Sequence, residues 1–334
     1  MDLEPVVLSK ENLLTAYPCD FKQYINPVQI RRMSRVLKMG FAAALKCLQE
    51  KSEIVPDAIA IGTGKGSLSD TEQFLSDIKQ YQETALNSIP FIQSTYNQLS
   101  GMIALNRKID SYNITYVHRA FSLESAMMDT AMYLMEIGGG NALVGSYDEI
   151  TVEHFKVKKQ WGYWKKDIVS NDDVLGSKTT GTLAGEGAGF MLVSTIKPPQ
   201  QAVLIQGVKM LYKPSTTTLS ERLHAFLHEH ELSPNDINLL VSGWNGDQFV
   251  AEANECINQQ LPLADIAYFK HLSGEYDTAI HFGIHLTQHI MQQQRIPNYC
   301  KPVLRNGNKA YKYALLYNNF FQINQCFWLL KFEE

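Results

Sequence analysis

Residues 122–145 read SLESAMMDTAMYLMEIGGGNALVG, and this stretch decides the fold class. Ser122 to Ile137 has the pattern of a helix with a serine at its mouth. Gly138-Gly139-Gly140 ends that helix, and Asn141 to Gly145 opens an apolar strand. Upstream, Ala58-Ile59-Ala60-Ile61 runs into Gly62-Thr63-Gly64-Lys65-Gly66, which reads as a buried strand leading into a flexible turn. Strand, helix and strand in succession imply an α/β sheet. Further out, Pro27 to Gln49 carries Ile30, Met33, Val36, Leu37, Phe41, Ala44, Leu45 and Leu48 at helical spacing, which predicts one amphipathic helix. Beyond Lys197-Pro198-Pro199-Gln200-Gln201, a natural connector, the rhythm repeats. Ala202 to Val208 and Ile237 to Ser242 read as strands, and Thr218 to Glu231, Ala251 to Gln260 and Thr278 to Gln293 as helices. Tyr313 to Tyr317 and Cys326 to Phe332 read as closing strands. The expectation is two α/β halves, 1–197 and 202–334, in one compact unit.

Composition narrows the function classes. The 334 residues are 45% hydrophobic and 19% charged, enough to bury a large core. Thirty basic against 34 acidic residues leave a formal charge of -4, with no basic excess to drive binding to a phosphate backbone, so nucleic acid is not expected as a partner. Apolar runs such as Met39 to Leu45 fall short of the roughly 20 residues of a membrane-spanning helix, and the N-terminus lacks the basic start and apolar run of a secretion signal. Cys19, Cys47, Cys256, Cys300 and Cys326 are odd in number, far apart and without a CxxC pair. They suit a reduced cytoplasm better than a disulfide framework or a cysteine zinc site.

Two tempting motifs fail on spacing. Gly62-Thr63-Gly64-Lys65-Gly66-Ser67 resembles a phosphate loop, but the residues between its first Gly and its Gly-Lys pair are too few, and Ser67 stands where a dinucleotide fingerprint needs a third Gly. A tight strand-to-helix turn is the plain alternative. His281, His285 and His289 share one predicted helix face, and His224, His228 and His230 lie close together, yet no HExxH pattern accompanies either group. They read as solvated or interface histidines, so neither a metal nor a cofactor is expected.

Four segments in order carry a family resemblance: YINPVQIRRMSR at Tyr24 to Arg35, IGTGKGSLSDTEQFL at Ile61 to Leu75, QSTYNQLSGMIAL at Gln93 to Leu105, and GEGAGFMLVS at Gly185 to Ser194. With the helix-strand unit Ser122 to Gly145 and FKHLSGEYDTA at Phe269 to Ala279, the chain resembles the β-ketoacyl-[acyl-carrier-protein] synthases. That resemblance implies the thiolase fold: two similar α/β halves in a five-layered αβαβα block. Family members usually open with a strand before the equivalent of Tyr24. Here that strand is expected to be missing or shifted onto Glu4-Pro5-Val6-Val7-Leu8.

Active members of that family use a cysteine nucleophile at a helix mouth and two histidines, and the resemblance implies that these are gone. The nucleophile position falls near Ala120 in Val117-His118-Arg119-Ala120-Phe121-Ser122. The first histidine position falls in Ser242-Gly243-Trp244-Asn245-Gly246-Asp247, the Gly243 region, which holds no histidine. The second is Glu275, and the family lysine is kept as Lys270. A glycine-rich gate is replaced by Asn318-Asn319-Phe320-Phe321-Gln322-Ile323-Asn324, losing the glycines that would open an acyl pocket. No catalytic residue is expected. Phe121, Phe320 and Phe321 are read as plugs of the pocket, Lys270 and Glu275 as a structural ion pair, and His118, Arg119 and Glu124 as a buried polar network. Ser122 is either a cap of its helix or a nucleophile with His118 as its base.

The wording HRAFSLES, SGWNGD and KHLSGEYDTA further resembles ketosynthase-like proteins of aryl polyene, flexirubin and dialkylresorcinol pigment synthesis. The resemblance implies a catalytically silent chain-length-factor-like subunit. Such a subunit forms a heterodimer with an active ketosynthase through Gly101 to Val117, shapes the acyl pocket and meets acyl carrier protein by way of the partner. The alternatives are an enzyme of altered chemistry, a decarboxylase or acyltransferase using Lys270, His118 or Ser122, and a non-catalytic homodimer that binds an acyl chain.

Overall fold

A computed structural model describes residues 12–17, 20–197, 201–307 and 310–334. The Pro198-Pro199 connector and the Glu4 to Leu8 strand candidate lie outside them. The N-terminal half contains β1 (Leu13–Leu14), α1 (Pro27–Ile30), α2 (Arg35–Gln49), β2 (Ala58–Gly62), α3 (Leu68–Tyr81), α4 (Ser88–Ser94) and α5 (Gln98–Arg107). It continues with β3 (Tyr112–Tyr116), α6 (Ser122–Glu136), β4 (Asn141–Asp148), α7 (Val152–Gln160), β5 (Ala184–Gly185) and β6 (Gly187–Ser194). The C-terminal half contains β7 (Ala202–Tyr212), α8 (Thr216–Glu229), β8 (Leu239–Ser242), α9 (Ala251–Gln260), β9 (Asp265–Tyr268), α10 (Lys270–Ser273), α11 (Ile280–Gln293), β10 (Tyr313–Phe320) and β11 (Asn324–Glu333).

The two halves build sheets of matching logic. In the first, ordered β3-β2-β4-β6, the strands β3, β2 and β4 are parallel and β6 is antiparallel to β4. In the second, ordered β7-β11-β10-β8-β9, the strands β9, β8 and β10 are parallel, and β11 and β7 follow antiparallel. The second sheet therefore has one strand, β7, with no counterpart in the first among the described residues. Strands covered on both faces need apolar residues at every position, not only at alternate ones. Ala58, Ala60, Ala142 and Val144 point to the inner face of the first sheet, while Ile59, Ile61, Leu143 and Tyr147 point outward. In the second sheet Leu239, Val241, Ala314 and Leu316 face inward, and Leu240, Leu315 and Tyr317 outward.

Helices α6 and α11 fill the space between the two inner faces through Leu123, Ala126, Met127, Ile280, Ile284 and Ile290. Helices α2 and α5 cover the outer face of the first sheet, and α8 and α9 that of the second. The result is the five-layered αβαβα stack. One expected element is interrupted: Pro27 to Gln49 is not a continuous helix but α1 and α2, broken at Arg31–Ser34. Gln93 of α4 occupies the break, where its Oε1 accepts from the Ser34 N–H at 3.0 Å and its amide donates to the Arg32 carbonyl. A side chain that meets backbone groups in this way removes the need for a continuous i→i−4 ladder.

Candidate functional site

The mouth of α6 is the natural place to look for chemistry, because a helix N-terminus presents unpaired N–H groups and a positive dipole end. Strand β2 approaches that mouth closely. A Cβ on Gly62 would stand 2.6 Å from the backbone of both Ser122 and Leu123, so only glycine fits. The following turn is sealed by Asp148, whose Oδ1 accepts from Thr63 Oγ1 at 3.0 Å and from the Gly64 N–H at 2.8 Å. A carboxylate of the protein thus takes the place a phosphate would need, and the turn reading of the glycine cluster holds.

Ala120 lies in a single 3-10 turn, Arg119–Phe121, directly before α6. It is buried in an apolar cluster with Phe155, Trp164, Ala184, Phe320 and Phe321. Two of the expected plugs, Phe320 and Phe321, thus belong to the same cluster as Ala120. Phe121 does not, because it turns into the core between the sheets. Strain collects around this cluster. Arg119 (φ 51°), Phe321 (φ 50°) and Gln322 (φ 59°) all hold left-handed backbone without being glycine, a conformation that costs about 1–3 kcal/mol per residue.

The segments to which the resemblance assigns the two histidines come together as a different constellation. Asn245, in the stretch that holds no histidine, donates from Nδ2 to Glu275 Oε2 at 2.7 Å. Lys270 Nζ donates to Glu275 Oε1 at 2.9 Å, to Oε2 at 2.7 Å and to the Asn319 carbonyl at 2.9 Å. Both charged side chains are fully buried. Burial raises the Glu275 carboxyl above its ordinary value, and the Lys270 charge opposes that shift. The expected ion pair is present, and it extends to Asn245 and to the β10–β11 hairpin. A carboxylate bonded by an amide and an ammonium is neither a free base nor a ready acid, so the group is a lock between loops.

Two expectations about the α6 mouth are corrected. His118, Arg119 and Glu124 do not form a network: His118 and Arg119 are exposed, while Glu124 is completely buried. Glu124 Oε1 accepts from Cys326 Sγ at 3.0 Å and from Trp328 Nε1 at 3.5 Å, and burial pushes its carboxyl up to about 7. The geometric reason is that one helical turn carries Glu124 into the layer between the sheets, whereas His118 and Arg119 precede the helix at its rim. Ser122 is neither the helix cap nor a nucleophile paired with a histidine. The cap position is Phe121, and Ser122 Oγ accepts from the His118 backbone N–H and lies 2.6 Å from the Arg119 carbonyl and 2.8 Å from the Thr63 carbonyl. The His118 ring instead packs edge-on against Phe121.

The α11 histidines are also not uniformly solvated. His281 is buried between Ser146 Oγ (2.9 Å) and the Tyr276 hydroxyl (3.1 Å), and burial depresses its ring to about 3. No group of three or more His, Cys, Asp or Glu among the described residues is arranged to hold a metal ion. Sequence reasoning missed a second charged cluster beside the plug. Lys65 pairs with Asp277, Asp148 accepts from Thr278 N–H and Oγ1, and His154 and Lys158 project from one face of α7. The i, i+4 spacing of His154 and Lys158 was the available signal.

Comparison with known proteins agrees with this architecture. Residues 13–165 match the family described as beta-ketoacyl synthase, N-terminal domain. Among solved structures the chain is similar to the ishigamide ketosynthase/chain length factor, at 15% identity and TM-score 0.74, covering 95% of this chain and 87% of that one. It is similar to the ketosynthase ApeO in complex with its chain length factor ApeC from Xenorhabdus doucetiae, at 15% identity and TM-score 0.72, covering 92% and 84%. A β-ketoacyl synthase from Burkholderia phymatum STM815 gives 14% identity, TM-score 0.71, and coverage of 96% and 86%. No curated protein sequence matches. The chain has the thiolase fold of these ketosynthase structures, and residues 13–165 match the β-ketoacyl synthase N-terminal domain model.

Proposed function

We propose that the chain is a non-catalytic, chain-length-factor-like subunit that pairs with an active β-ketoacyl-[acyl-carrier-protein] synthase and shapes its acyl pocket. The observation that carries this reading is the closed site. Ala120 stands at the nucleophile position under Phe320 and Phe321, and Asn245 and Glu275 are tied to Lys270 where an active enzyme needs free histidines. A subunit in this state can contribute walls and surface but no thiolate.

Its edge supports pairing. Strand β3 ends the first sheet with one side open among the described residues, and an open strand edge presents unpaired N–H and C=O groups to another chain. Exposed Met128, Met132 and Met135 of α6, Leu105 of α5 and Val117 flank this edge, an apolar rim suited to a protein interface. Solved relatives described as ketosynthase with chain length factor, and as acyl-carrier protein in complex with its ketosynthase, support a ketosynthase partner and carrier protein reaching the pair. The pathway class we assign is polyene or polyketide pigment synthesis of the aryl polyene, flexirubin or dialkylresorcinol type, in the cytoplasm. No helix among the described residues is long and apolar enough to cross a membrane.

The decisive experiment is coexpression with a β-ketoacyl synthase of the same genome that keeps the cysteine and both histidines, followed by native mass measurement and an elongation assay. A 1:1 complex whose elongation requires both chains is expected. Two separate homodimers, with full elongation by the partner alone, would remove the proposal. Altered chemistry through Ser122, His118 or Lys270 loses support from the geometry, because Ser122 faces backbone groups, His118 stands at the rim and Lys270 is saturated.

A further inference from the structure

Residues 12–16 lie across the cluster that buries Ala120. Leu13 packs against the cluster that holds Ala120, Trp164, Phe320 and Phe321, and Leu14 is buried with Val174 and Leu183. Strand β1 pairs in parallel with β5, Leu13 opposite Ala184 and Leu14 opposite Gly185. On its other edge β5 meets the Glu275 loop. The Gly185 N–H donates to the Glu275 carbonyl at 3.1 Å, and the Glu275 N–H to the Leu183 carbonyl at 2.8 Å. A Cβ on Gly185 would stand 2.1 Å from the Ser273 carbonyl oxygen, so β5 is pressed close between β1 and that loop.

Both ends of this segment are fastened. Asn12 is buried and holds left-handed backbone at φ 59°, which asparagine tolerates better than most residues. Its Nδ2 donates to the Lys165 carbonyl at 3.1 Å and to the Asp167 carbonyl at 2.7 Å, its Oδ1 accepts from the Val169 N–H at 2.9 Å, and its own carbonyl accepts from the Ala184 N–H at 2.9 Å. One residue thus ties the stretch after Tyr163 and Trp164 to β5. At the other end the Ala16 N–H donates to Glu186 Oε1 at 3.0 Å, and Glu186 is paired with Arg35 of α2 at 2.5 Å. The plug itself is strained, since Arg119, Phe321 and Gln322 all hold left-handed backbone. Strain of this kind persists only where the surrounding structure holds it in place, and the segment at 12–16 fastens the walls that face the plug.

We infer that residues 12–16 are a strap that holds the Ala120 cluster shut, with Asn12 as its latch. The inference goes beyond the pairing role and does not depend on it, since every residue belongs to this chain. Site-resolved thiol labelling of the full chain tests it. Ala120→Cys places a thiol inside the cluster, and its reaction with N-ethylmaleimide is followed by mass spectrometry of the peptide that holds residue 120, with and without Asn12→Asp. That second substitution keeps the shape of the side chain but cannot donate to the Lys165 and Asp167 carbonyls. Labelling at residue 120 is expected to be at least tenfold faster with Asn12→Asp, while buried Cys300, in the C-terminal half, reacts at an unchanged rate. Equal labelling at residue 120 overturns the assignment, because Phe320 and Phe321 then close the cluster unaided. Equal acceleration at Cys300 also overturns it, because the whole chain has then loosened. If the cysteine variant does not fold, amide hydrogen exchange decides with Asn12→Asp alone. Exchange at Phe320–Ile323 is expected to be at least tenfold faster than in the native chain, with β8 unchanged, and unchanged exchange at Phe320–Ile323 overturns the strap.

Discussion

Replacing Glu275 by Gln tests the buried lock between Glu275, Lys270 and Asn245. Glu275 accepts from Lys270 through both oxygens and from Asn245, with both charged side chains fully buried. The substitution keeps the shape and one carbonyl acceptor but leaves the Lys270 ammonium without its counter-charge. Breaking a buried pair by removing one partner costs about 3–5 kcal/mol, because the remaining charge is stranded in a low-dielectric interior. With an unfolding entropy of about 2.1 cal/mol/K per residue, the 334 residues give about 0.7 kcal/mol/K, so Tm should fall by about 4–7 °C. Circular dichroism melting and urea unfolding at neutral pH are the assays. The double variant Lys270→Met/Glu275→Leu, which replaces the pair by apolar groups of similar volume, should recover most of the loss. An unchanged Tm in Glu275→Gln, or a double variant as unstable as the single one, would refute the reasoning.

Three further outcomes follow from the same geometry. Glu124 keeps its proton to about pH 7 in the folded chain and loses it near 4.5 when unfolded. Stability is therefore present below pH 4.5, is lost as pH rises toward 7 and stays lost above. Glu124→Gln should accordingly be more stable than the parent at pH 8 by on the order of 2–4 kcal/mol, the difference shrinking to nothing below pH 4.5, and parallel stability-pH curves would contradict it. Gly62→Ala should lose about 1–3 kcal/mol by overpacking against the α6 mouth, read as a shift in the urea midpoint. Ala120→Cys should gain no acyl-enzyme mass with acyl-carrier-protein thioesters, since Asn245 and Glu275 supply no base and Phe320 and Phe321 close the position; a stable acyl adduct on that cysteine would count against the closed site.

Much of the fold was legible because its elements are local in origin. The apolar runs of β2, β4, β8, β10 and β11 could be read directly, since strands buried on both faces need apolar residues throughout. The break between α1 and α2 was not legible. Its cause, Gln93, stands 59 residues from Ser34, and no periodicity along Pro27 to Gln49 reports a side chain arriving from elsewhere.

The surroundings of those positions belong to the tertiary structure. Glu124 meets Cys326 and Trp328 across 202 and 204 residues of chain, and Asn245 finds Glu275 through a loop crossing. Sequence alone placed His118, Arg119 and Glu124 together because they are neighbours in the chain, but a single helical turn sends one into the core and leaves the others at the rim. By itself, then, the sequence determined the layered α/β architecture, which is written in residue type and spacing. Only the folded chain decided which buried charges are paired and which buried groups, such as the Trp164 indole N–H, are left unmet. The physical reason is that burial and pairing energies depend on through-space neighbours, and those neighbours come from distant segments whose meeting leaves no local pattern.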